Sequence, residues 1–156
     1  LGEQPRTVAA WIQTETTDYA DLVSWGVHEL NARWLILLTH GSRKEAYGAL
    51  QVVAGAGFVT GKTRVTDGQW HHVAVVLETA DHPSVRDIRL YVDGKADAVS
   101  ASSDGPIDTA AGPDVTFGVR STGEPHFFTG IMDDVRIYNR ALSAVEILNL
   151  ATGTNP

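Results

Sequence analysis

The chain has no cysteine, so neither a disulfide nor a thiolate metal site is available to it. At 156 residues it needs neither, because a single domain of this length can bury a sizeable core unaided. Basic residues are few: 12 Lys and Arg against 19 Asp and Glu give a formal charge of −7 and a pI near 5.2. Phosphate-binding surfaces need clustered Lys and Arg, which sets nucleic acid aside. Long apolar runs are missing too. No run is longer than Trp34 to Leu38, which is far too short to cross a bilayer, so no membrane span is expected. No Gly-x-Ser-x-Gly elbow and no zinc-type His or Cys spacing occurs, which argues against a serine-hydrolase turn and a transition-metal centre.

What is present is organised around residues 67–95. Trp70 to Leu77 is apolar and β-branched and reads as a strand buried on both faces. Ile88, Leu90 and Val92 alternate with Arg89 and Tyr91, the period of a strand with one wet face. Asp67-Gly68 and Asp93-Gly94 supply the positive φ of tight hairpin turns, so the chain is expected to reverse at both. Further strands are expected over residues 7–14, 21–27, 32–39, 48–54, 57–60, 114–120 and 127–139, separated by Gly, Pro, Ser and Asp turns. The single helix is short and last, from about Ala144 to Leu150. Ser143 and Glu146 form a capping box there, and Leu142 can meet Ile147 as a hydrophobic staple. The pattern predicts an all-β fold, an antiparallel two-sheet sandwich with one short C-terminal helix. Residues 1–150 form the domain and 151–156 a linker-like tail. Leu1 is not a natural start, so the chain is expected to be a module of a longer polypeptide.

Asp67-Gly-Gln-Trp-His-His-Val-Ala74 followed by Leu90-Tyr-Val-Asp-Gly94 resembles the laminin G-like branch of the concanavalin A-like lectin/glucanase family. A second signature agrees: Phe128-Thr-Gly-Ile-Met-Asp-Asp-Val-Arg-Ile-Tyr-Asn-Arg-Ala-Leu-Ser143 looks like that branch's closing strand and exit. The resemblance narrows the sandwich to a jelly roll. It also implies an initial strand carrying a Phe-Asp-Gly-type motif beside the closing strand, and this sequence lacks it. That edge is then either completed from elsewhere or left bare, and a bare edge invites strand addition. Glycan-cleaving members of the superfamily commonly carry acidic residues on alternate positions of one strand. No Glu-x-Asp-x-Glu pattern occurs here, and the consecutive Asp133 and Asp134 diverge to opposite faces. The domain is therefore read as not an enzyme.

Simple alternation places Asp133 on one face with Ile131, Val135 and Ile137. A carboxylate on an apolar face must be paired, protonated or metal-bound. One reading is a hydrogen bond to a backbone amide, an indole or His72. The other, which the resemblance to calcium-binding relatives supports, is a Ca2+ held by Asp133 or Asp134 with loop carbonyls. Adjacent His71 and His72 point to opposite faces and cannot share an ion through strand geometry. Trp11 and Trp70 fall inside strands and read as packing. Trp25 and Trp34 lie near loops and are candidate platforms for a sugar ring, with core packing the alternative. Their candidate polar companions are His28, Arg43, Tyr47, Arg120 and His126, all on loops or strand ends. The expected role is a noncatalytic carbohydrate-binding or surface-recognition module of a larger secreted or cell-envelope bacterial protein. It would bind a glycan or cell-surface ligand beside neighbouring domains of the same polypeptide. The alternative is a structural or protein-interaction domain that docks a neighbouring domain.

Overall fold

A computed structural model describes residues 2–27, 32–42, 46–78, 81–111, 114–120 and 123–153. Among these the elements are β1 (Arg6–Gln13), β2 (Ala20–Gly26), β3 (Arg33–Leu38), β4 (Ala49–Ala54), β5 (Gly57–Arg64), β6 (Trp70–Leu77), β7 (Ile88–Val92), β8 (Lys95–Ala96), β9 (Ala101–Ser103), β10 (Thr116–Phe117), β11 (Ile131–Tyr138) and α1 (Ala144–Thr152). They form two antiparallel sheets, one ordered β11-β1-β6-β7-β8 and the other β10-β2-β3-β4-β5-β9. The all-β sandwich with one C-terminal helix is the architecture that the turn spacing predicts. The core lies between the sheets. Val8, Ala10 and Ile12 of β1 meet Leu22 and Trp25 of β2, Trp34, Ile36 and Leu38 of β3, and Val73 and Val75 of β6.

The organising pair holds: β6 and β7 are antiparallel neighbours, with Val73 opposite Val92 and Leu77 opposite Ile88. Asp93 and Gly94 take φ of 50° and 76°, and Val92 pairs with Lys95 across them, the two-residue turn that an Asp-Gly dipeptide favours. Asp67-Gly68 does something different. β5 and β6 belong to different sheets, so this turn carries the chain across the sandwich instead of closing a hairpin. The Gly68 amide donates to Thr14 O at 3.0 Å, and a Cβ on Gly68 would meet Glu15 Oε1 at 2.7 Å.

The wet face expected for β7 is only partly wet. Arg89 is exposed, but Tyr91 is buried beneath α1, in a second cluster with Ala9, Ala74, Val76, Leu142 and Ile147. The capping box is formed, with Ser143 N donating to Glu146 Oε2 at 2.8 Å. The helix runs two residues past Leu150 and stops at Gly153, whose φ is 68°. Thr7, fully buried, fastens the chain entering α1: its hydroxyl donates to Arg140 O and accepts from Leu142 N, each at 2.9 Å. The strands expected over 114–120 and 127–139 are shorter, β10 and β11 only.

β11 departs from simple alternation. Ala9 pairs with Arg136 and Trp11 with Asp133, so β11 carries one extra residue there. The extra residue is Asp134, with φ of 47°, a β-bulge. The bulge inverts the facing of everything before it. Met132 and Val135 pack on the core, while Ile131 is 55% exposed and Asp133 is exposed.

Candidate ligand-binding site

The loop 14–19 and the described residues 39–42, 46–48, 118–120 and 123–130 meet at one end of the sandwich. Their anchor is Asp21, fully buried on β2. Arg120 donates to it through Nε at 2.7 Å and Nη2 at 2.9 Å, the two-pronged geometry that gives Arg–carboxylate pairs their strength. The His126 amide donates to Asp21 Oδ2 at 3.0 Å, and the Asp21 amide donates to His126 O at 2.9 Å. Arg120 Nη2 lies 2.5 Å from His126 Nδ1. An arginine only donates, so Nδ1 accepts and the imidazole carries its proton on Nε2. Tyr19 stacks on His126 with centroids 5.4 Å apart and lies 5.6 Å from the His40 ring. His40 Nε2 sits 3.3 Å from Asp18 Oδ1 while its Nδ1 accepts from Ser42 N. The Arg64 guanidinium lies 4.5 Å over the Tyr47 ring, on the same group of loops.

Beside this cluster is an open cavity of about 650 Å³ whose lining includes Gln13, Thr14, Glu15, Thr17, Asp18 and Ile131. Its walls are fixed by hydrogen bonds: Thr14 Oγ1 donates to Thr129 O at 2.6 Å and Gln13 Nε2 to Gly68 O at 2.8 Å. Gly130 is required, because a Cβ there would lie 2.3 Å from Gln13 O. On the outer face of the five-stranded sheet Gln13 is flanked by Trp70 on β6 and Ile131 on β11. Trp70 is 42% exposed. Hydroxyls, an amide and two carboxylates therefore adjoin an exposed indole, a combination suited to a ligand with both hydroxyl edges and a C–H face.

Of the two readings of Trp25 and Trp34 the structure takes core packing, while Trp11 and Trp70 depart from expectation. Trp25 and Trp34, the candidate platforms, are buried core residues stacked on each other at 5.7 Å, with Arg6 lying 5.0 Å over Trp34. Neither offers a face to a ligand. Trp11 and Trp70, expected in the core, lie on the outer face of the five-stranded sheet, because Val8, Ala10 and Ile12 take the inner one. Arg120, His126 and Tyr47 do come to the same end of the fold. Arg43 and His28 lie outside the described residues. Tyr19, Asp21 and His40 complete the cluster and escape sequence reasoning. Asp21, a carboxylate next to Leu22 and Val23, was the one visible signal.

The premise for calcium at Asp133 and Asp134 does not survive the bulge, since Asp133 is not on the apolar face. Asp134 Oδ1 accepts from Arg136 Nε at 2.8 Å, and Asp133 Oδ1 accepts from the Asp134 amide at 2.7 Å. Among the described residues no three His, Cys, Asp or Glu side chains gather where they could hold one ion.

His71 and His72 have opposite environments. His71 bridges Asp93 Oδ2 at 2.9 Å and Asp67 Oδ1 at 3.1 Å. Burial alone would lower its pKa, but the two carboxylates outweigh it and the value stands above the ordinary one. Both ring nitrogens are engaged, so His71 is a clasp between two turns and not an available base. His72 is 2% exposed, edge-on to Trp11 at 5.5 Å, and its Nδ1 has no hydrogen-bond partner among the described residues. Burial lowers its pKa.

The chain matches the laminin G-type model of the concanavalin A-like lectin/glucanases superfamily over residues 1–148 and belongs to that family. No curated protein matches it by sequence. Among solved structures it is similar to a candidate carbohydrate-binding protein from Bacteroides ovatus, with 18% identity and a TM-score of 0.69 over 95% of this chain and 41% of that one. It thus spans less than half the length of that relative. It is also similar to domain 4 of an extracellular arabinanase from Geobacillus stearothermophilus, solved with arabinotriose (21% identity, TM-score 0.63, 96% and 67% covered). A third is the sialidase carbohydrate-binding module of Ruminococcus gnavus bound to α2,3-sialyllactose (14%, 0.66, 95% and 83%). At these identities the likeness establishes the fold.

Proposed function

We propose that this chain is a noncatalytic carbohydrate-binding module of a larger extracellular protein, binding at the cavity between Trp70 and the Tyr19–His126 stack. The observation that carries this is the exposed Trp70 in register with Gln13 at the lip of a polar cavity that also holds Glu15 and Asp18. Carboxylates and amides accept and donate to vicinal hydroxyls, while the indole takes the sugar's C–H face. Binding names among its structural relatives support the same reading. Such a module concentrates its neighbour on a glycan by tethering, for which modest affinity suffices.

The test is a glycan array that includes arabinan and sialylated oligosaccharides, followed by calorimetry on any hit with the wild type and Trp70→Ala. Loss of the indole platform is expected to weaken binding about tenfold or more, the equivalent of about 1.4 kcal/mol, with an unchanged circular dichroism spectrum. Equal affinity for the variant, or no binding on the array, overturns the assignment.

A further inference from the structure

The outer face of the five-stranded sheet carries two cavities at successive outward positions of β1. Gln13 lines the larger one, and Trp11 lines a second of about 340 Å³. Two residues of strand separate them, about 6.8 Å. The rows around them are not closed over: Trp70 and Ile131 flank Gln13, Asp133 flanks Trp11, and all three are exposed. An indole stands at each cavity. Trp70 is at the first, and Trp11, half-buried, is at the second, held on its β6 side by the ring of His72 at 5.5 Å. The two indoles are diagonal neighbours across β1 and β6, about 7–8 Å apart at the backbone, too far for one sugar ring to stack on both.

The rest of the second cavity is polar. Asp134 and Arg136 of β11 bound it on one side, and Asn149, Thr152 and Gly153 at the end of α1 on the other. A carboxylate, an amide and the acceptor-rich end of a helix all serve hydroxyl groups. The charges are of one kind. Glu15 and Asp18 line the first cavity and Asp134 the second, while the single cation among the described lining residues, Arg136, donates through Nε to Asp134 Oδ1 at 2.8 Å. Like charges brought together suppress the wrong partner, so this face disfavours sugars that carry a carboxylate.

We infer that the ligand is a neutral, linear oligosaccharide lying along β1 across both cavities, with one ring on Trp70 and another on Trp11. This rests on the glycan reading of the first cavity and adds the second as a further subsite. A single terminal sugar has use for one indole only, whereas a chain presents a C–H face to each in turn.

The test is calorimetry with linear arabinose, xylose, glucose and galactose oligosaccharides from disaccharide to hexasaccharide, with oligogalacturonates and sialyllactose as acidic probes. The best hexasaccharide should be neutral and bind about tenfold or more tighter than its disaccharide, the gain from stacking on a second indole. Trp11→Ala should abolish that gain, and Trp11→Phe, which keeps a ring against His72, should retain part of it. Circular dichroism checks that each variant folds. The wild type supplies an independent readout: of its four indole N–H resonances, the hexasaccharide should shift those of Trp11 and Trp70. A hexasaccharide no tighter than the disaccharide, a length gain that survives Trp11→Ala, a Trp11 resonance unmoved by bound hexasaccharide, or an acidic chain as the tightest ligand each overturns the inference and leaves the reading of the first cavity standing. Binding of none of the probes overturns that reading as well.

Discussion

The buried ion pair that locks the ligand-site loops should show a distinctive non-additivity when dismantled. Asp21 is fully buried and Arg120 13% exposed, so replacing either alone leaves a charge without its partner in a poorly solvated place. Asp21→Leu orphans both the guanidinium and the His126 amide, and Arg120→Met orphans the carboxylate. Breaking a buried pair from one side costs about 3–5 kcal/mol. For a domain of this size each kcal/mol shifts Tm by about 2–4 °C, so each single variant should melt about 6–20 °C lower. The double variant removes both charges and substitutes apolar volume, so it should recover about 2 kcal/mol or more relative to the worse single change. Urea denaturation read by tryptophan fluorescence measures all four corners of the cycle, with a constant m-value as the check on two-state behaviour. Summed single losses in the double variant would refute the account of Asp21 and Arg120 as a mutually compensating pair.

The adjacent histidines should give pH dependences of opposite sign. His71 has a raised pKa, so its stabilising bridge is complete below the unfolded value of about 6.5 and is lost as pH rises through the folded value. Asp67 is held below the ordinary carboxylate range, first by the Gln69 amide and then by His71; its contribution is present above about 4 and fades as pH falls through the lowered value. The gap in urea midpoint between wild type and His71→Gln should therefore be widest between about pH 4 and 6.5, and a gap that stays level to pH 9 counts against the bridge. His72 has a lowered pKa, so its contribution is present above about 6.5 and is lost as pH falls below it, and the gap to His72→Gln should shrink on acidification. Calcium added after chelation should move Tm by less than about 1 °C, because Asp134 is engaged by Arg136; saturation at a hundred times Kd supplies about 2.7 kcal/mol, so a rise of about 5 °C or more would reinstate a calcium site.

Much of the fold was legible because most strands obey a period of two and end at residues with a chemical reason to turn. β6 and β7 fall where their β-branched and alternating residues put them, and Asp93-Gly94 makes the turn that its φ preferences favour. What period alone does not reveal is which sheet comes next. The dipeptide Asp67-Gly68 has the same hairpin signature as Asp93-Gly94, yet it crosses between sheets, because its continuation is decided by where the Trp70 segment finds partners. The tryptophans show the same limit. Alternation divides β1 into two faces, but a position inside a strand does not say which face is the core for Trp11, and only the packing of Val8, Ala10 and Ile12 against the opposite sheet turns it outward.

The candidate site divides along a related line. Arg120 and His126 are visible as polar residues on loops, but their partner Asp21 is 99 and 105 residues away in the chain, a separation that leaves no local trace. Even so, the rule that a buried carboxylate must find a partner was sound. It misled at Asp133 because there it depended on knowing the face, and one inserted residue at Asp134 reversed the face. At Asp21 the face is irrelevant, since every residue of β2 is buried. An acidic residue in a strand apolar on both sides must be compensated whichever way it points, so such residues are the ones from which a long-range partner can be inferred without first knowing the register. In this chain that inference leads from Asp21 to a nearby arginine or histidine on a distant loop, which is where Arg120 and His126 stand.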